Sequence, residues 1–297
     1  MAISDPYWPR ADVWLATYHI EPDVVVVGVP SSTASLTPSR ADLAPLALRD
    51  RLGGFSTFQG EWGVDLSTVK ALDVGNWAVS ELDMHQMPGV VEEKARRLPE
   101  APLNIFLGGD NAITRPLVRA RGTEGVGLIT LDAHHDVRTL ELGPANGTPV
   151  RGLIEEDGLD GESVVQIGIH SFANSREYRE YCTGHGITVV TMTDVEERGV
   201  DAAVETTLTD LSARVDRIYV DVDVDVLDSA FAPGCPGARP GGMRVRDLAA
   251  AVRRCARHPA VTAMDFVEVD PERDVSNLTV DALATVFLSA IAGFAER

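Results

Sequence analysis

The run "IYVDVDVDVLD" at 218–228 begins as an apolar, β-branched strand and ends in carboxylates. Asp221, Asp223 and Asp225 occupy alternate positions, so an extended chain turns all three to one face. Next neighbours on that face lie about 7 Å apart, and at an effective dielectric near 20 each charged pair would repel by roughly 2 kcal/mol. An apolar strand with an acidic end fits a parallel α/β sheet, whose ligands gather outside the carboxyl ends of the strands.

The flanking sequence repeats the pattern. Apolar strand candidates occur at 24–29 (VVVVGV), 104–108, 127–132, 164–169, 187–191, 217–223 and 261–267, with helix candidates at 43–53, 87–98, 200–213 and 245–257 between them. Alternating β and α elements predict a doubly wound α/β fold. The apolar run 282–294 is too short to span a bilayer and reads as a closing, core-facing helix. Residues 54–70, mixed in Gly, Ser and Trp, are expected to cross the surface of one domain covering 1–297 rather than divide two.

At 297 residues, with 44% apolar and 24% charged residues, the chain has the composition of an ordinary globular protein. Its 45 acidic against 26 basic residues give a net charge of −19, which disfavours nucleic acid and anionic membranes as partners. Cys182, Cys235 and Cys255 have no CxxC spacing, so neither a disulfide framework nor a thiolate metal site is expected. The N-terminal "MAISDPYWPRADVW" lacks a basic segment followed by an apolar one, and with the cysteine usage this predicts a cytoplasmic protein.

Four strand ends carry polar residues: Asp110-Asn111, the cluster Asp132 to Asp136 in "DAHHD", the aspartates 223, 225 and 228, and Glu268. In "DAHHD", an extended chain turns Asp132, His134 and Asp136 to one side and His135 away. Together with Asp223 and Asp225 they form a mixed oxygen and nitrogen set suited to Mn²⁺ and tolerable for Fe²⁺, Co²⁺, Ni²⁺ or Zn²⁺. More than four ligands suggests two ions. Taken alone, Asp110 and Asp228 read as a helix cap or turn residues. A calcium loop fails because Val226 stands at the obligatory Gly and Ala232 at the bidentate Glu. The GxSxG, Walker, HExxH and GxGxxG templates are absent.

The motifs "GGDN" at 108–111, "DAHHD" at 132–136, "DVDVLDSAFAPG" at 223–234 and "EVDP" at 268–271 resemble the ureohydrolases, which include arginase, agmatinase and formimidoylglutamase. The resemblance implies a single-domain, three-layer, mostly parallel eight-stranded sheet with helices on both faces, assembled as a trimer or hexamer. It also implies two Mn²⁺ ions bridged by Asp132 and Asp223, with Asp136 on the first and His134 and Asp225 on the second. Asp136 would move the proton, and Glu268 would pair with the cationic guanidinium or amidine of a small-molecule substrate.

Three positions depart from the family. Asn111 stands where a metal-binding His is usual, and its amide oxygen is a weaker ligand, so the first ion is expected to bind loosely. Asn146 replaces a proton-shuttling His, and Asp221 replaces a small Ser. "DAHHDVR", "GIHSFANSREYREYCTGHGI" and "FAPGCPGARPGGM" are closest to the formimidoylglutamase branch. The implied substrate is N-formimidoyl-L-glutamate, whose two carboxylates need cationic or amide partners. Arg138 and Asn146 are the first such partners, with Asn174 and Arg176 behind them. A second reading is an agmatinase-like or other guanidino-acid hydrolase that releases urea. A third is a catalytically weakened relative kept for binding or assembly.

Overall fold

In the computed structural model, which describes residue 5 and residues 7–297, the strand runs are drawn into one sheet. Residues 1–4 and 6, part of the N-terminal stretch read above, lie outside the described residues. The sheet comprises β1 (Val24–Val29), β2 (Ala71–Asn76), β3 (Leu103–Gly108), β4 (Val126–Leu131), β5 (Val164–Ile169), β6 (Thr188–Thr191), β7 (Arg217–Asp223) and β8 (Val261–Val267). Its order is β2-β1-β3-β8-β7-β4-β5-β6, and every neighbouring pair is parallel.

Strands buried on both faces need apolar side chains at odd and even positions alike. Val24 and Val26 of β1 enter one core, and Val25, Val27 and Val29 the other. The first core is roofed by α1 (Ala11–Leu15), α2 (Ala44–Leu52), α7 (Met192–Arg198), α8 (Val200–Ser212), α9 (Val245–Arg257) and α10 (Leu278–Ala295), through Trp14, Leu48, Val195, Val204, Leu248 and Phe287 among others. The second lies under α3 (Met87–Arg96), α4 (Thr114–Ala120), α5 (Pro149–Glu155) and α6 (Arg176–Gly184), through Met87, Leu117, Leu153 and Cys182. The result is three layers. The three cysteines are free and buried.

Two expectations change. The closing helix runs to 18 residues, long and apolar enough to cross a bilayer, but it is largely buried against the rest of the chain. The edge strand β2 has no counterpart among the expected strands. It pairs with β1 alone, is only partly buried and carries Asp73 and Asn76, so it lacks an apolar run; Arg49 grips Asp73 through two hydrogen bonds of 2.7 Å. Within 54–70 a short hairpin pairs Phe58–Gln59 with Val64–Asp65.

Candidate metal centre

The four polar strand ends belong to β3, β8, β7 and β4, which are the four adjacent central strands. Their carboxyl ends therefore open onto one cleft, as expected for an open α/β sheet. It has a volume of about 130 Å³, and His134, Asp136, Asp223, Asp225 and Glu268 line it.

The local backbone differs from a simple extension of each strand. β7 ends at Asp223, and Asp225 sits in the 3-10 turn Val224–Val226, where its backbone N–H donates to Asp223 Oδ1 at 2.8 Å. Asp225 is therefore delivered by a turn and not by strand alternation. β4 likewise ends before Asp132, and Asp136 has φ 52°, a left-handed residue that Asp tolerates. Glu268, at φ 67°, follows β8 in the same conformation, which strains a Glu by about 1–3 kcal/mol. Its N–H donates to Gly109 O at 2.9 Å, which fixes that turn against β3.

Asp132, His134 and Asp225 each place one ligand atom within 4.8 Å of the others. His134 Nδ1 is 3.0 Å from Asp225 Oδ2 and 3.5 Å from Asp132 Oδ1. The two carboxylates share one imidazole unequally. Asp225 is the nearer, and its charge is the main cause of a His134 pKa raised to about 12. Burial pushes Asp225 upward, but the imidazolium and the Ala133 N–H outweigh it and hold the pKa below its ordinary value. Asp132 rises to about 6, first through burial and then through the charge of Asp225. Asp136 and Asp223 are raised well above the carboxylate range, by burial and by the same neighbouring acids.

Such a set fits a divalent cation. Five buried or nearly buried carboxyls converge with one imidazole, and Asp132 Oδ2 is buried without a hydrogen-bond partner. The donors are the oxygens and nitrogen that Mn²⁺ accepts. Close approach from the loop after β7 requires Gly237, because a Cβ there would lie 1.9 Å from Asp225 Oδ2.

The surrounding residues brace this cluster. His135 turns away as expected; its Nδ1 meets Gln166 Oε1 at 2.6 Å, and Gln166 Nε2 donates to His135 O at 2.8 Å. Asn174 lines the cleft, and its amide also holds the 133–135 backbone, accepting from His135 N at 2.9 Å and donating to Ala133 O at 3.0 Å. Arg176 is exposed at the start of α6 and outside the cleft lining. Asn146 accepts from Leu36 N at 3.0 Å and donates to Glu268 Oε1 at 2.9 Å, so it positions Glu268 at the cleft.

Asn111 is beside the cluster, but its amide oxygen, the atom offered to a metal by the sequence, accepts from Thr114 Oγ1 at 2.7 Å. Its Nδ2 donates to Asp136 Oδ2 at 2.7 Å, and its backbone N–H to Glu268 Oε1 at 2.8 Å. Burial and the neighbouring Asp110 raise Glu268 to about 8, against the opposing pull of these amide donors. Asp110 makes no helix-cap hydrogen bond; its Oδ2 accepts from Ala34 N at 3.0 Å and Ser35 Oγ at 3.2 Å. Asp228 is the turn residue expected, accepting from Ala230 N and Gly241 N.

The sequence reading missed Arg239, Thr37 and Tyr178, which line the cleft with Arg138 and Asn146. Arg239 had a signal, a lone cation within the Gly- and Pro-rich loop that follows the acidic strand. Its Nη1 donates to the carbonyls of Gly237 and Ala238, both at 3.0 Å.

Known proteins resemble this chain in sequence and fold. The chain is 42% identical to the formimidoylglutamase of Halalkalibacterium halodurans, over 90% of this chain and 86% of that one. The crystal structure of formimidoylglutamase from Bacillus subtilis superposes with a TM-score of 0.93 at 32% identity, covering 99% of this chain and 94% of that chain. A Trypanosoma cruzi formiminoglutamase solved with Mn²⁺ shares the fold, with a TM-score of 0.89 at 24% identity over 98% of this chain and 99% of that one. The arginase family model matches residues 22–293, a span that holds every strand of the sheet and the five carboxyls and one imidazole of the cluster, and the chain belongs to the arginase family.

Proposed function

We propose that this chain hydrolyses N-formimidoyl-L-glutamate to L-glutamate and formamide, using two Mn²⁺ ions. The observation that carries this reading is the composition of one cleft: an acid and imidazole cluster, a buried Glu268 and two guanidinium groups, Arg138 and Arg239. Glu268 suits the cationic amidine end of that substrate, and the arginines suit its two carboxylates. Agmatine has no carboxylate, so the same pair of arginines would repel it. A guanidino acid with one carboxylate is the second reading. The relatives named above support the first.

In this reading Asp132 and Asp223 would serve both ions, Asp136 would serve the first, and His134 and Asp225 would serve the second. Divalent cations held there supply Lewis acidity, by which a water becomes nucleophilic near neutral pH. Glu268 Oε1 is occupied by the Asn111 and Asn146 donors, whereas no protein hydrogen bond falls on Oε2 among the described residues. Oε2 is the acceptor for the amidinium N–H, and this pairing orients the planar carbon. Asp136 accepts the proton of the attacking water and returns it to the leaving amine. Homo-oligomeric assembly, as a trimer or hexamer, rests on the resemblance alone.

Product analysis tests the reaction. With added Mn²⁺, formimidoyl-glutamate should yield formamide and glutamate; urea from a guanidino acid, with formimidoyl-glutamate untouched, would decide for the second reading. A catalytically weakened relative would instead hold fewer than one Mn²⁺ per chain after reconstitution.

Asn111→His bears on the first ion. An imidazole coordinates Mn²⁺ more strongly than a carboxamide, so the variant should bind the first ion about tenfold tighter with the fold unchanged. Unaltered Mn²⁺ affinity in a titration would place residue 111 outside the coordination sphere.

A further inference from the structure

Thr114, the first residue of α4, is 1% exposed, and its hydroxyl stands between two acceptors. Oγ1 lies 2.7 Å from Asn111 Oδ1 and 2.7 Å from Asp265 Oδ2. Asp265 Oδ2 also receives the Tyr219 hydroxyl at 2.8 Å, and Asp265 is the register partner of Asp221 across β8 and β7. A hydroxyl has one hydrogen and can serve only one of two oxygens. With the Asn111 oxygen turned to Thr114 and Asp265 ionised, one of the two 2.7 Å contacts therefore has no hydrogen.

Turning the carboxamide over removes this shortfall. The two ends of a carboxamide have nearly the same shape, so the turn needs no extra space. Asn111 Nδ2 then donates to Thr114 Oγ1, and Thr114 donates to Asp265. Asn111 Oδ1 comes to face Asp136, an arrangement that is repulsive between two oxygens alone and favourable with a cation beside both. The Thr114 hydroxyl thus serves either orientation by reversing its hydrogen.

We propose that Thr114, held by Asp265, is a positioning residue that selects which end of the Asn111 carboxamide faces the first metal position. The inference rests on the two-ion reading of the site. Outer partners of this kind fix how a ligand presents itself to a metal and change affinity without touching the ion. Only the Thr114 hydroxyl can accept from Asn111 Nδ2 while donating to Asp265, so its loss weakens the oxygen-facing arrangement selectively.

The test is a titration of the full chain, stripped by chelator, with Mn²⁺ alone, following the electron paramagnetic resonance signal of the free aqua ion. Wild type should bind two ions. Thr114→Val should weaken one of them at least tenfold and leave the other within threefold, and Thr114→Ser should restore both. If the Val variant does not fold, Thr114→Ala takes its place with the same loss expected. Both affinities within threefold of wild type in the hydroxyl-free variant would overturn the inference and leave the two-ion reading standing. Fewer than two ions on wild type would overturn that reading and this inference with it.

Discussion

Glu268→Gln is expected to lower kcat/KM for formimidoyl-glutamate by about 10³-fold, about 4 kcal/mol of transition-state stabilisation. The substitution preserves shape. A Gln oxygen can still accept from the Asn111 N–H and Asn146 Nδ2, which now reach Oε1 at 2.8 and 2.9 Å. The second terminal atom becomes an NH₂ where the substrate's amidinium N–H needs an acceptor, so donor meets donor and the charge pairing is lost. Glu268 lies outside the cluster assigned to the ions, so Mn²⁺ stoichiometry should not change. The variant has a second expected effect of opposite sign. Burial and Asp110 oppose a charge at residue 268, and a neutral amide removes that opposition, so the metal-free variant should be more stable than wild type at pH 8. Activity within tenfold of wild type would remove Glu268 from substrate binding. A fall in activity accompanied by lost Mn²⁺ would reassign it to the metal site.

The strand ends were the legible part of this site. Parallel strands are apolar on both faces until they leave the sheet, so a carboxylate just past an apolar run is conspicuous, and all four such ends prove to be adjacent. Side-chain direction was less legible. Alternation placed Asp221, Asp223 and Asp225 on one face, but β7 stops at Asp223. Asp221 lies within the strand, paired in register with Asp265 of β8 and remote in sequence from it. Burial and the facing Asp265 raise its pKa well above the carboxylate range. Its partner could not be found by spacing, since register between β7 and β8 is set by the whole sheet. The amide roles were hidden for the same reason. Asn146 and Asn174 read as substrate contacts, and both line the cleft, but the fold also uses their amides to hold Glu268, Leu36 and the 133–135 backbone, partners that spacing could not reveal.

Stability should depend on pH and Mn²⁺ together, and the direction follows from the same buried acids. Asp132 titrates at about 6 and Glu268 at about 8 in the folded chain, each above its ordinary value, so between pH 4 and 8 the folded state binds more protons than the unfolded one. Stability of the chelator-treated protein therefore falls as pH rises through this window. His134, raised to about 12, acts in the same direction above its unfolded value near 6.5: its contribution is complete below that value and is lost as pH climbs towards 12. Asp225, with its pKa lowered, opposes them only in acid, since its contribution is lost as pH falls below about 4. The net change from pH 5 to 8 is on the order of 5 kcal/mol, or about 10 °C in Tm for a chain of this size. Mn²⁺ should reverse it. The ion needs ionised carboxylates and releases their protons on binding, so its stabilising effect grows over the interval in which the metal-free chain weakens. Thermal melts with chelator and with saturating Mn²⁺ at pH 5.5, 6.5 and 8 check this directly. The expected curves diverge as pH rises; a metal-free Tm that climbs with pH, or an Mn²⁺ shift equal at all three values, would mean that these carboxyls neither share buried charge nor bind the ion.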